Sequence, residues 1–389
     1  MHMIYLDHAA ATPVSRKVYE VMEPYFTEDF FNPSAAYLPA KKVAHDYEKA
    51  KAEIAHGIGA KASDLVITAG ATEANNLAFT CLDTRAVKNA VKAIANKVLY
   101  LETEHDSVRR VAESYGGTAI RVLPNGLIDL NDLRSKISDE TELISVALVN
   151  NEIGVIQPLA EIAGIIREIK FDRMKRGIKT QLLLHSDASQ ALNLLDISVA
   201  RLGVDLLTIN AAKVYGPKGV GALYVSHDTK LHPLTHGGGQ ENGLRSGTEN
   251  VPGVIGFAKA VSESKEHLNG NRKKYASWRQ LFLKNLKDYD LINKKHTLDN
   301  FVVLCFDGID AERLVFLLEE REIYVATGAA CAASTGVRSH VLAAIGLTDS
   351  QIAGSLRITM GETNTEEQII EAAKIINEVV ENERERING

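Results

Sequence analysis

Between about residues 60 and 230, short apolar runs alternate with longer amphipathic stretches, and no other feature constrains the fold of this 389-residue chain as much. The runs at 65–69, 97–101, 118–123, 142–149, 181–186, 204–209 and 221–225 have the length and the aliphatic content of strands. The stretches 72–82, 106–115 and 159–169 between them read as helices. This order predicts an α/β fold: a large domain with a mainly parallel mixed sheet flanked by helices. In such sheets ligands sit beyond the carboxyl ends of the strands, and here the polar motifs follow the apolar runs.

After about residue 255 the strict order is lost. A long charged helical pattern covers 262–289, a strand 300–306, a helix 310–321 and a terminal helix 365–383. The chain is too long for one small core. We read residues 16–255 as the large domain, and residues 1–15 with 256–389 as a smaller α+β domain. The mixed charges at 262–288 and 378–386 read as solvated helix faces.

Bulk properties exclude several classes. Apolar residues at 45% and charged residues at 24% are ordinary for a soluble globular protein. A net charge of −6 and a pI near 6.1 argue against direct nucleic-acid binding by the whole surface. No apolar run reaches bilayer-spanning length, and MHMIYLDHAAATP lacks the basic-then-apolar order of a signal peptide. The three cysteines, Cys81, Cys305 and Cys331, are sparse and include no CxxC pair. A reducing cytoplasm is therefore the expected location, and no metal site is expected. GxxxxGK[ST] is absent, so ATP is not indicated.

Several residues are placed where chemistry happens. Lys213 follows the run 204–209 in TINAAKVYGPKGVG, where a lysine can form a Schiff base with an aldehyde cofactor; Lys218, in a Pro-Lys-Gly turn, is the rival. Asp187 closes the run 181–186 and shares a face with His185; its carboxylate suits either a protonated pyridine nitrogen or a helix N-cap. His105 lies at a strand-to-helix junction, able to stack on a flat cofactor, to act in catalysis by moving protons near neutral pH, or to remain a solvated loop residue. Ala71 and Thr72 open a helix, where free amides and a hydroxyl hold a phosphate or simply cap. Arg357, in the expected strand GSLRITMG, could grip a carboxylate or form a structural salt bridge. Cys331 sits in ATGAACAASTG, whose small residues suit an accessible, mobile nucleophile, whereas Cys81 and Cys305 read as packing positions.

Taken together, GATEANNLA, TEHDSV, NNEIGVIQP, HSDASQA, KVYGPKGVGALYV, HGGGQENGLRSGTEN and the Cys331 segment resemble, in order, the cysteine desulfurases of the class V aminotransferase group, with the type I pyridoxal-phosphate fold. The resemblance runs from YLDHAAATP to LRITMG and points to the subgroup with a long cysteine loop. It implies pyridoxal 5'-phosphate on Lys213, Asp187 at the pyridine nitrogen, Gln190 at the ring hydroxyl and His105 stacked on the ring. It implies phosphate contacts from Ala71 and Thr72, and from Thr248 of a partner subunit, hence a homodimer. Asn151 and Arg357 would hold the substrate carboxylate. Two positions depart from the pattern: Asn210 and Ala212 stand where the family usually has a small hydroxyl residue and a histidine. Asn210 would take over part of that phosphate contact. On this resemblance, a chain ending at Gly389 would be expected to lack the extension with which some members hold an iron–sulfur scaffold.

The implied reaction converts L-cysteine to L-alanine with a persulfide on Cys331, passed to a sulfur-acceptor protein, either an iron–sulfur scaffold or a tRNA-thiolating enzyme. The rival readings are a selenocysteine lyase or other class V pyridoxal enzyme, and a catalytically silent pyridoxal-fold binding protein. Asn210 and Ala212 motivate the last.

Overall fold

The computed structural model describes residues 3–82, 97–328 and 338–388. Its strands are β1 (Ile4–Tyr5), β2 (Leu65–Thr68), β3 (Val98–Leu101), β4 (Thr118–Ile120), β5 (Leu143–Ser145), β6 (Leu183–Asp187), β7 (Leu206–Asn210), β8 (Gly221–Val225), β9 (Asp290–Leu291), β10 (Phe301–Cys305), β11 (Ile323–Tyr324), β12 (Ala326–Thr327) and β13 (Ser355–Thr359). The strands β2 to β8 form one sheet in the order β2-β8-β7-β6-β5-β3-β4. Its pairs from β7 through to β4 are parallel, while β8 runs antiparallel to both β2 and β7. This is the mainly parallel mixed sheet that the alternation predicts.

Both faces of the sheet are covered, which explains why its strands are almost continuously apolar. Val98 and Tyr100 point to one face, into a cluster with Leu77 of the helix Ala71–Ala78 and Val108 of the helix Asp106–Ser114. Leu99 and Leu101 point to the other face, into the main core, with Ile54 of the helix Leu38–Gly57 and Ile162 of the helix Leu159–Lys175.

A second sheet, β12-β13-β10-β9, is antiparallel, and β1 pairs with β11. The helix Val251–Asn285 packs on Leu38–Gly57 and also on Glu366–Asn388. The domain boundary expected at 255/256 thus falls inside one helix, and the main core continues from Ile67 through Phe257 to Phe301 and Ile376.

Two elements differ from the sequence reading. The run 142–149 is a strand only over Leu143–Ser145; Val146 and Leu148 still donate to His185 and Asp187 but leave the regular ladder. The long helix starts at Val251, not near 262. Asn250 caps it by accepting from Gly253 N–H at 3.1 Å, with a proline in its first turn. No helix among the described residues is long and apolar enough to cross a membrane.

Candidate active site

The parallel strands end at one edge of the sheet, and a cavity of about 960 Å³ opens there. Its walls come from the turns after β2, β3, β5, β6 and β7, from Asp7–Ala10 ahead of the sheet, and from Arg357 of β13. Lys213, Asp187, Gln190, Ala71, Thr72, His105, Asn210, Asn151 and Arg357 all line it. Thr248 is exposed and does not; Lys218 is exposed and does not. Cys331 lies outside the described residues.

Lys213 ends a single 3-10 turn, Ala211–Lys213, that follows β7 directly. Asn210 initiates this turn by accepting from Ala212 N–H at 3.3 Å. The N-terminal segment clamps it. Thr12 Oγ1 donates to Ala212 C=O at 3.1 Å and accepts from Tyr215 N–H at 2.9 Å, and Lys213 Nζ donates to Ala10 C=O. Gln190 Nε2 donates to the neighbouring Ala9 C=O at 2.9 Å.

Asp187 is the last residue of β6. Its Oδ1 accepts from Ser189 N–H at 2.9 Å, so it also holds the following turn. Its Oδ2 accepts from Asn75 Nδ2 at 2.8 Å, from a fully buried asparagine on the helix Ala71–Ala78. His185, on the same face two residues back, is sealed between Ser145 and Thr208 at 2.8 and 3.2 Å. Burial lowers its pKa to about 4, so it stays neutral. His105 caps the helix Asp106–Ser114: its Nδ1 lies 3.1 Å from Ser107 N and 2.9 Å from Ser107 Oγ.

At the opposite end Gly70 precedes the helix Ala71–Ala78 with φ of +144°, a conformation that favours glycine. A Cβ on Gly221 of β8 would lie 2.9 Å from Gly70 Cα, so the absence of a side chain there lets the strand approach the turn. Among the described residues no side chain caps this helix start. Its first amides and the Thr72 hydroxyl are thus available to an anion. Arg357 is 3% exposed; its Nη2 meets Asp7 Oδ1 at 2.7 Å and its Nη1 donates to Asn151 C=O at 2.9 Å. Its Nε is buried with no partner among the described residues.

Glu104 was not singled out in the sequence. Its side chain is fully buried at the cavity wall, Oε1 accepting from Ala147 N–H at 2.6 Å and Oε2 without a partner among the described residues. Burial first, and then the Asp187 charge, push its pKa from 4.5 up to about 8. Between those values the native chain holds a proton that the unfolded chain has lost, so this group makes stability fall as pH rises. At 1.36 kcal/mol per unit, Glu104→Gln should stabilise the protein by about 5 kcal/mol above pH 8 and by little near pH 4.5. Melting curves of both proteins across that range check this; a constant difference in Tm would contradict it.

Asp7, Thr12, Asn75, Glu104 and Ser107 complete the site and were missed. Each lies inside a motif quoted above, YLDHAAATP, GATEANNLA or TEHDSV, so the motifs held the signal although the individual roles did not.

Known proteins resemble this chain over nearly its whole length. Residues 4–371 match the aminotransferase class-V family. The chain is 36% identical over 391 residues to the putative cysteine desulfurase IscS 1 of Bacillus subtilis, covering 98% of this chain and 99% of that one. It is 37% identical over 385 residues to the cysteine desulfurase IscS of Neisseria meningitidis serogroup C, covering 96% and 91%. Among solved structures, a NifS-like protein superposes with a TM-score of 0.88 at 29% identity, covering 98% of this chain and all of the other. SspA in complex with cysteine superposes at 0.78 with 32% identity, covering 92% and 98%. The donor set fits the cofactor of that family: an amine, a carboxylate held by an amide, and an uncapped helix start suit its aldehyde, pyridine nitrogen and phosphate. On its sequence, its fold and the fit of this cavity, the chain belongs to the aminotransferase class-V family, among its pyridoxal-phosphate-dependent cysteine desulfurases.

Proposed function

We propose that this chain takes sulfur from L-cysteine, releases L-alanine, and carries the sulfur as a persulfide on Cys331 to an acceptor protein, an iron–sulfur scaffold or a tRNA-thiolating enzyme. The observation that carries the reading is the meeting of Lys213, Asp187, His105 and Arg357 in one cavity at the strand ends. Pyridoxal phosphate, when bound, supplies the electron sink for cleavage next to the amino group. Lys213 would hold it, and its free amine would move the α-proton of the substrate. Asp187, oriented by Asn75, would keep the proton on the ring nitrogen. Ala71 and Thr72 would hold the phosphate, Gln190 the ring hydroxyl, and His105 would cover the ring. Asn210 holds the turn of Lys213, lines the cavity and would take part in the phosphate contact. Asn151 and Arg357 would receive the substrate carboxylate; Arg357 Nε has no partner among the described residues. The Cys331 thiolate attacks the substrate sulfur, forming an S–S bond as the substrate C–S bond breaks.

The working unit is a homodimer, and the large unit 16–255 and the smaller unit built from 1–15 and 256–389 share the cavity between them. Support comes from the segment before Thr248. A buried ion pair joins Glu241 to Lys51 at 2.8 Å, and Arg245 meets Glu73 at 2.9 Å, so the segment is held firmly while Thr248 is exposed and does not line its own cavity. Phe26, Phe30, Tyr37 and Leu38 leave apolar surface exposed for a second copy. Light scattering should return twice the chain mass for the active holoenzyme; an active, cofactor-loaded monomer would count against this. The sparse cysteines fit a cytoplasmic site of action. Mass spectrometry after incubation with cysteine should find Cys331 one sulfur atom heavier, and alanine released; an unmodified Cys331 during turnover would exclude the persulfide route.

A further inference from the structure

Asp187 and His105 line the same cavity, and the hydrogen bonds between them form one continuous chain. Asn75 Nδ2 lies 2.8 Å from Asp187 Oδ2 and 2.8 Å from Ser107 Oγ. Ser107 Oγ lies 2.9 Å from His105 Nδ1, which also lies 3.1 Å from Ser107 N.

The donors in this chain are set by elementary chemistry. An ionised carboxylate only accepts, so the Asn75 amide must turn its NH2 group, not its oxygen, towards Asp187. That group has two hydrogens, and the second points at Ser107 Oγ. The hydroxyl therefore accepts from Asn75, and its own hydrogen is left for His105 Nδ1. The backbone N–H of Ser107 can only donate, and it too is aimed at Nδ1. In the neutral ring Nδ1 thus receives two donors and carries no hydrogen, and Nε2 bears the proton.

We propose that Asn75 and Ser107 are positioning residues that fix His105 as its Nε2–H tautomer and tie its orientation to the carboxylate of Asp187. The Nδ1 edge is occupied by Ser107, which leaves Nε2–H as the edge that serves the cavity. Asn75 is fully buried and Asp187 nearly so, and hydrogen bonds in such surroundings are strong and rigid. The use of this proton in turnover rests on the desulfurase reading; the tautomer does not.

The test uses 15N-histidine-labelled full-length protein without added cofactor, studied by NMR at a pH where imidazole is neutral. His105 should show a bare Nδ1, shifted as for an acceptor of hydrogen bonds, and a protonated Nε2. In Ser107→Ala the Nδ1 resonance should move towards that of a less hydrogen-bonded nitrogen, and Ser107→Thr should restore it. Asn75→Asp should act like Ser107→Ala. A carboxyl oxygen facing Ser107 accepts its hydroxyl hydrogen and draws it off His105, whichever of the two aspartates holds a proton. A protonated Nδ1 in the wild type, or an Nδ1 resonance unmoved in Ser107→Ala, would overturn the proposal. Ser107 is only half-buried, so that variant remains informative if the buried Asn75→Asp fails to fold. In the holoenzyme Ser107→Ala should lower kcat for alanine release about tenfold, the worth of one supporting hydrogen bond. If the resonances behave as expected and kcat does not change, the chain of hydrogen bonds stands, and the role given to His105 in desulfuration falls.

Discussion

Lys213→Ala should abolish covalent attachment of the cofactor and cut alanine production by about 10³-fold or more, because the same amine holds the cofactor and moves the α-proton. Lys218→Ala should change neither. The two lysines are five residues apart in KVYGPK, yet their settings differ. Lys213 reaches into the cavity from a turn held by Asn210 and Thr12, while Lys218 is exposed outside it. Borohydride reduction of the holoenzyme followed by peptide mapping separates them. Cofactor trapped on Lys218, or a normal rate in Lys213→Ala, would mean that the cavity has been read from the wrong end.

Cys331→Ser should bind cofactor normally and shift its visible spectrum on adding cysteine, yet lose alanine release by about 10³-fold or more, the scale on which removal of a nucleophile acts. Cys331 lies outside the described residues, but the chain on both sides of it is tied to the site. On one side β12 pairs with β13 beside Arg357, and Gly328 N–H donates to Ser355 C=O at 2.6 Å. On the other, Ser339 Oγ donates to Glu152 at 2.5 Å, next to Asn151, and His340 Nε2 lies 2.9 Å from Glu104 C=O, next to His105. The other two thiols serve as controls. Cys81 and Cys305 are buried, which pushes their pKa values up to about 12 and about 11, so neither offers a thiolate near neutral pH. Cys81→Ser and Cys305→Ser should alter stability at most. Alanine measured from the three variants side by side decides the matter, and ordinary turnover by Cys331→Ser would leave a different pyridoxal reaction as the better reading.

Local pattern and tertiary setting contributed differently to what is known of this chain. The alternation of apolar runs and amphipathic stretches was sufficient for the class of sheet, because strands covered on both faces must be apolar throughout, and few other structures impose that. It was weaker at element ends. Residues 146–149 stay apolar after β5 has ended, since apolarity reports burial and not a hydrogen-bond ladder. The first turns of the helix Val251–Asn285 are buried on several sides, so they carry none of the charged periodicity that marks the rest.

The same division holds at the site. Lys213 and Asp187 could be found from sequence because each directly follows or closes an apolar run, and strand ends are where an α/β sheet offers its polar groups. Asn75, Ser107, Glu104 and Asp7 could not be assigned, because their roles lie in their partners. Asn75 meets Asp187 across 112 residues of chain, and Asp7 meets Arg357 across 350. A lone asparagine or aspartate is consistent with a cap, a turn or a surface position. Sequence alone determined that this chain folds as a mainly parallel sheet with an amine and a carboxylate at its strand ends. Only the packing of separate segments over that edge decided which carboxylate is held by an amide, which is driven to keep its proton, and which neutralises the buried arginine, since each of these states depends on burial and on a partner distant in sequence.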